Sequence, residues 1–155
     1  LGLLKIITFS IENRSFALPS TNVKEVLDND KGIMSLFYGG KALKGILPYE
    51  GGLLSVLNTP FLLDIESKNE NFILLCKEKK EDLATGLTIS SIKGIEYVEE
   101  EEIKQSSNNE APYISGFVRK ETAGKVRVTA ILDMGKFFTH AAGKVQKVGN
   151  LIDIT

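Results

Sequence analysis

Apolar and polar residues alternate through 4–11, LKIITFSI, where Ile7, Phe9 and Ile11 recur at every second position among Thr8 and Ser10. That period marks a strand with one buried face. Glu12-Asn13-Arg14 reads as a polar turn, and SFAL (15–18) as the returning strand. After Pro19, Ser20 is placed to cap one short helical turn that runs into a strand through Val23, Val26 and Leu27. Residues 28–32, DNDKG, turn the chain, and Gly39-Gly40 interrupts any regular element across 33–43. The stretch KGILPYEGGLLSVL (44–57) predicts a hairpin whose tip is Pro48 to Gly52, with Glu50 at its end. Asn58 or Thr59 caps a short helix with Pro60 in its first turn.

Past the polar linker ESKNEN (66–71), FILLC (72–76) predicts a buried strand, KEKKED (77–82) a charged tip and LATGLTI (83–89) the return. SSIKGIEYVEE repeats the sequence of cap, short turn and strand, and 99–110 is an acidic, then polar, surface segment. PYISGFVRK (112–120) and KVRVTAIL (125–132) form a second long hairpin around 121–124. Asp133 caps the longest predicted helix, MGKFFTHAAGK, and the tail 143–155 reads either as a packed strand or as a frayed end. Strands dominate, so the fold class expected is all-β, built of small barrels or sandwiches.

The two halves echo each other. ALPSTNVKEV (17–26) aligns without gaps on GLTISSIKGI (86–95), KGIL (44–47) on SGFV (115–118), and SVLN (55–58) on AILD (130–133). An offset of about 70 residues is an internal repeat. It divides a single domain, 1–155, into two similar five-stranded subdomains, about 4–65 and 71–140, with the boundary at 66–71.

Composition narrows the function. The 155 residues suit one domain with a core that needs no staples. A net charge of −1 offers no basic patch for phosphates, so nucleic acid is not an expected partner. The single cysteine, Cys76, allows no intrachain disulfide and fits a reducing, cytoplasmic setting. Apolar runs of five or six residues are far below the roughly 18–20 that span a bilayer, so direct membrane insertion is not expected. The opening LGLLKI has no basic region ahead of a long apolar run, unlike a secretory signal, and the missing initiator Met fits a trimmed chain.

Residue types for chemistry are scarce. His140 and Cys76 are each the only one of their kind, which leaves no soft-ligand zinc set, and a surface or cap histidine and a buried inert thiol are the readings preferred. Ser90-Ser91-Ile92-Lys93 matches Ser-x-x-Lys without a companion motif. Asp28 and Asp30 lack the glycine and closing glutamate of a calcium loop. No glycine-rich phosphate loop occurs. No catalytic, cofactor or metal site is expected, and the chain is expected not to be an enzyme.

The order of ITFSIENRSFALPSTNVKEVL, LKGILPYEGGLLSVLN, FILLCKEKKEDLATGLTISSIKGIEYV and PYISGFVRKETAGKVRVTAILDMGKF resembles the CheW-like family of bacterial chemotaxis coupling proteins, from residue 5 to about 140. The resemblance implies two five-stranded barrels side by side, with short helices after the barrels. It also implies a non-enzymatic adaptor that binds a regulatory domain of a CheA-type histidine kinase and the cytoplasmic tip of chemoreceptors. The equivalent partner-binding positions are Val23, Glu25, Val26, Gly45, Glu50 and Leu54, set against a plain reading in which Val23, Val26 and Leu54 are core and Glu50 a solubility charge. The chain departs from the family pattern at Glu50, where an arginine is usual, at Ser55 for proline, at Asn58 for aspartate, and at Ser90, where an aspartate is frequent. Those departures keep open an adaptor of the same fold outside chemotaxis. An oligonucleotide-binding barrel is the alternative from another class; it requires exposed strand aromatics beside Lys or Arg.

Overall fold

The computed structural model describes residues 2–30, 32–35, 40–105 and 111–154, with the helical backbone alone for 146–154. The alternating stretches become strands β1 (Leu3–Ile11), β2 (Arg14–Pro19), β3 (Val23–Asp28), β4 (Leu43–Tyr49), β5 (Gly52–Leu57), β6 (Phe72–Cys76), β7 (Thr85–Ile89), β8 (Ser91–Glu99), β9 (Ile103–Gln105), β10 (Ile114–Thr122) and β11 (Lys125–Leu132). Helix α1 is Thr59–Leu62 and α2 is Met134–Ile154.

The all-β expectation holds, with two sheets. One has six strands in the order β8-β1-β2-β11-β10-β9, and the other five, in the order β3-β6-β7-β5-β4. The division at 66–71 does not separate them. β1 and β2 come from the first half but lie between β8 and β11, and β6 and β7 lie between β3 and β5. The subdomains are therefore not the contiguous stretches 4–65 and 71–140. Alternation along a chain identifies a strand and its buried face, not its neighbour. Here β2 pairs with β11, and β7 with β5, in parallel, and parallel neighbours need long crossovers that local patterning does not specify.

Strand alternation sorts the apolar residues among three clusters. Phe9, Ile11, Phe16 and Leu18 of one sheet meet Leu74, Cys76, Leu87 and Ile89 of the other in a shared core. The opposite faces hold Ile6, Ala17, Val98, Val118 and Ile131 in the six-stranded sheet, and Leu47, Leu54, Val56, Ile73 and Leu75 in the five-stranded one. β6 is buried on both faces, which is why FILLC has no polar position. Each sheet thus curls around a small core of its own and turns its other face to its neighbour.

Helix α2 seals the shared core with Met134, Phe137 and Ala141. It starts where predicted, with the Asp133 carboxylate accepting from the Lys136 N–H at 2.9 Å. It then runs on to Ile154, so the tail is neither strand nor frayed end. Asn58 caps α1 by accepting from the Phe61 N–H at 3.3 Å. Ser20 caps nothing: it lies inside a 3-10 turn, Ser20–Asn22, whose capping residue is Pro19. Residues 36–39 and 106–110, which include Gly39 and the polar end of the acidic segment, lie outside the described residues.

Candidate binding surface

The β4–β5 hairpin turns on two residues, Glu50 and Gly51, with φ of 47° and 79°. Two positive φ values in a two-residue loop make a type I′ turn, whose twist matches the strands on either side. The turn carries Tyr49 and Glu50 over the start of β3, the strand at the far end of the same sheet. The Lys24 ammonium lies 3.2 Å from a Glu50 carboxylate oxygen. It also sits 4.8 Å from the centre of the Tyr49 ring, in cation–π contact. The Tyr49 hydroxyl donates to the Glu25 carboxylate. The bond to Glu50 raises the Lys24 pKa, and the bond to Glu25 is the chief reason that Tyr49 also titrates high. These contacts draw the two ends of the five-stranded sheet together.

Beneath the turn lies a cleft of about 340 Å³ lined by Lys24, Glu50, Leu53, Lys77, Asp82 and Leu83, among others. Leu53 and Leu83 stand 61 % and 89 % exposed. Two exposed leucines beside a charged pair form an apolar centre with a polar rim, the usual build of a binding surface.

The six positions implied by the resemblance divide. Glu25, Val26 and Glu50 are on the surface, and Val26 is 38 % exposed although the plain reading places it in the core. Leu54 is buried in the core of its own sheet, and Val23 is half-buried against the shared core. Gly45 is buried at a register shift with φ of 153°, where a Cβ would stand 2.0 Å from the Met34 carbonyl oxygen. Its role is to let two backbones approach. Sequence reasoning missed Lys24, Tyr49, Leu53 and Leu83. Lys24 carried a signal, as the lysine that the repeat shares with Lys93, while the exposure of Leu53 and Leu83 had none in an apolar stretch.

The residues with chemical potential are engaged in structure. Burial pushes the Cys76 thiol up, away from the reactive thiolate. A His140 ring nitrogen lies 3.0 Å from the Leu62 carbonyl, and the ring packs 4.7 Å from that of Tyr113. The Ser90 hydroxyl accepts from the Glu12 N–H at 2.8 Å. Among the described residues no group of three or more His, Cys, Asp and Glu is arranged to hold a metal ion, and no helix is long and apolar enough to cross a membrane.

Comparison with known proteins follows the same lines. The profile of the CheW-like domain family matches residues 5–142. No curated protein matches. Among solved structures, the scaffolding protein TtCheW from Thermoanaerobacter tengcongensis is similar in fold, with a TM-score of 0.73 at 17 % identity over 85 % of each chain. With two interlocked sheets and a family match over most of its length, the chain belongs to the CheW-like domain family.

Proposed function

We propose that the protein is a non-enzymatic cytoplasmic adaptor that couples chemoreceptors to a CheA-type histidine kinase. The observation that carries this reading is the family match across 5–142. The charged pair and exposed leucines at the mouth of the five-stranded sheet support it as a place where a partner docks. In this reading the ends of the sheets meet the homologous regulatory domain of the kinase, and a groove between the two units takes the receptor tip as a helix in a groove. Glu25, Val26 and Glu50 contact the partner, with Lys24, Leu53 and Leu83 beside them, whereas Gly45 and Leu54 hold the hairpin in place.

Glu50 favours a second reading, an adaptor of the same fold in another pathway. A carboxylate at a turn where the family usually has an arginine repels a partner built for arginine and suits one that offers a cation. Titration calorimetry of the full chain with the kinase regulatory domain, and separately with a receptor cytoplasmic fragment, decides between the two. Saturable binding to both is expected for the coupling role. Binding to neither removes that role and leaves the second reading.

A further inference from the structure

β11 extends past the strand beside it. Its parallel ladder with β2 covers only Thr129–Ile131 against Ser15–Ala17, so among the described residues 125–128 has a strand neighbour on the β10 side alone. The turn at Ala123-Gly124 has two residues with φ of 52° and 78°, which makes Thr122 and Lys125 the closing hydrogen-bonded pair. Hydrogen-bonded and open pairs then alternate along the hairpin, so Arg127 bonds to Lys120 while the N–H and C=O groups of Val126 and Val128 point away from β10. The next residue in that series, Ala130, is the one at the middle of the ladder with β2. The four residues 125–128 span about 13 Å.

This edge opens on a groove of about 390 Å³ with Phe16, Phe117 and Ala130 in its wall and Arg14 where β2 begins. Val126 and Val128 stand 49 % and 52 % exposed. An exposed strand edge with β-branched residues is a template for another strand unless something guards it. The hairpin is cationic, with Arg119, Lys120, Lys125 and Arg127 against Glu121. Arg127 is held by Glu96 at 2.5 Å and Lys120 by Glu102 at 3.0 Å, but Arg14 and Lys125 have no ion pair among the described residues.

We propose that the free edge of β11 is a second docking site, which takes an extended, acidic segment of a partner protein by β-strand addition. Alternation puts apolar residues of the incoming strand beside Val126 and Val128, and carboxylates on the opposite face beside Lys125 and Arg127. A second copy of this chain is disfavoured, because its own edge brings the same cations. The site does not rest on the adaptor reading; it stands on edge geometry and charge in the other sheet.

A synthetic octapeptide of alternating Val and Glu, titrated into the full chain, tests the site, with a Val/Lys octapeptide as control. The acidic peptide is expected to bind and to slow hydrogen exchange at the Val126 and Val128 amides at least tenfold. Val128→Pro removes an outward donor without touching a bond to β10, and Lys125→Glu reverses the unpaired charge on the face that meets the carboxylates; each is expected to weaken binding at least tenfold at an unchanged thermal midpoint. Should Val128→Pro not fold, Lys125→Glu decides alone. The proposal is overturned if the acidic peptide does not bind, if the basic control binds equally well, if both folded variants bind like the parent, or if protection appears elsewhere. Self-association of the parent chain that Val128→Pro abolishes would make the occupant a second copy and overturn the partner chemistry.

Discussion

In the six-stranded sheet the hairpin β1–β2 of the first half is flanked by β8 on one side and β11–β10 of the second half on the other. In the five-stranded sheet the hairpin β6–β7 of the second half is flanked by β3 and by β5–β4 of the first. The repeat relates the two, and the correspondence reaches single residues. Lys24 is the extra residue where β3 shifts register against β6, and its repeat partner Lys93 is the extra residue where β8 shifts against β1. Lys44 and Ser115 do the same in the two long hairpins, and Asn58 and Asp133 cap the helices that follow them. The two sheets are one design in which each half lends strands to the other. They differ at their mouths: in one the hairpin tip is bonded to the strand at the far end of the sheet, and in the other a strand edge and the Arg14 side chain have no partner among the described residues.

Cutting the chain in the linker breaks the comparison most severely. Because each half holds only part of each sheet, fragments 1–68 and 69–155 are each expected to lack the far-ultraviolet circular dichroism of folded strands, and an equimolar mixture to regain it. A fragment that folds alone would mean that the shared strands are dispensable to its sheet. In the uncut chain, loss of the common core should unfold both sheets in a single denaturant transition.

The glycines of the two long hairpins sharpen the comparison at smaller cost. Gly45 and Gly116 are repeat equivalents at equivalent register shifts, yet a Cβ at Gly45 would meet the Met34 carbonyl oxygen at 2.0 Å and at Gly116 the Lys104 carbonyl oxygen at 2.7 Å. Only Gly45 also has a φ in the range that disfavours side chains. Gly45→Ala is expected to cost about 3 kcal/mol and Gly116→Ala about 1–2 kcal/mol, measured by urea unfolding. Equal costs would mean that the positive φ contributes nothing.

The hairpin tips also differ. Glu12, at the β1–β2 turn, accepts from the Ser67 hydroxyl at 2.7 Å and from the Lys68 and Asn69 N–H groups at 3.0 and 2.9 Å, which ties the tip to the linker between the halves. The β6–β7 tip closes on itself, through Asp82 and the Lys79 N–H. These bonds, that from Ser67 first, hold the Glu12 carboxyl at about 2 against an ordinary 4.5. A depressed carboxylate stabilises the fold above its unfolded pKa, and that stability is lost as pH falls through 4.5 toward 2. Glu12→Gln is therefore expected to lower the thermal midpoint at pH 7 and to flatten its decline between pH 4.5 and 2. A parallel decline in the two proteins would show that Glu12 is not the group titrating.

Most strands, both long hairpins and the two helix caps were legible in the sequence, because alternation, glycines and cap residues act locally. The repeat was legible too, but not its interlocking. FILLC is apolar at every position, which reveals burial on both faces without naming the neighbours of either. Nor did anything local show that α2 continues past 143. At the binding surface, Glu50 was legible as a turn residue and Lys24 as a lysine that the repeat shares, but their ion pair across 26 positions was not. Val26 is exposed, against the plain reading of it as core, because β3 lies on the edge of its sheet.

Reversing the charge at Glu50 is the mildest test of the fold and the most direct test of the surface. The pair with Lys24 is solvent-exposed, and such pairs add little to stability, so Glu50→Arg should shift the urea midpoint only slightly. The turn itself is indifferent, since arginine meets the same left-handed φ as glutamate. At the mouth the change is larger: Lys24 loses its carboxylate and gains a like charge beside Leu53 and Leu83. Affinity for a partner bound there should change at least tenfold, upward for a partner that suits arginine and downward for one that offers a cation. Ala123→Arg, at the matching turn of the other sheet with φ of 52°, is the control and should leave that affinity unchanged. If Glu50→Arg alters binding to neither the kinase domain nor the receptor fragment, the turn is a soluble loop, and the mouth of the five-stranded sheet is not where this protein meets them.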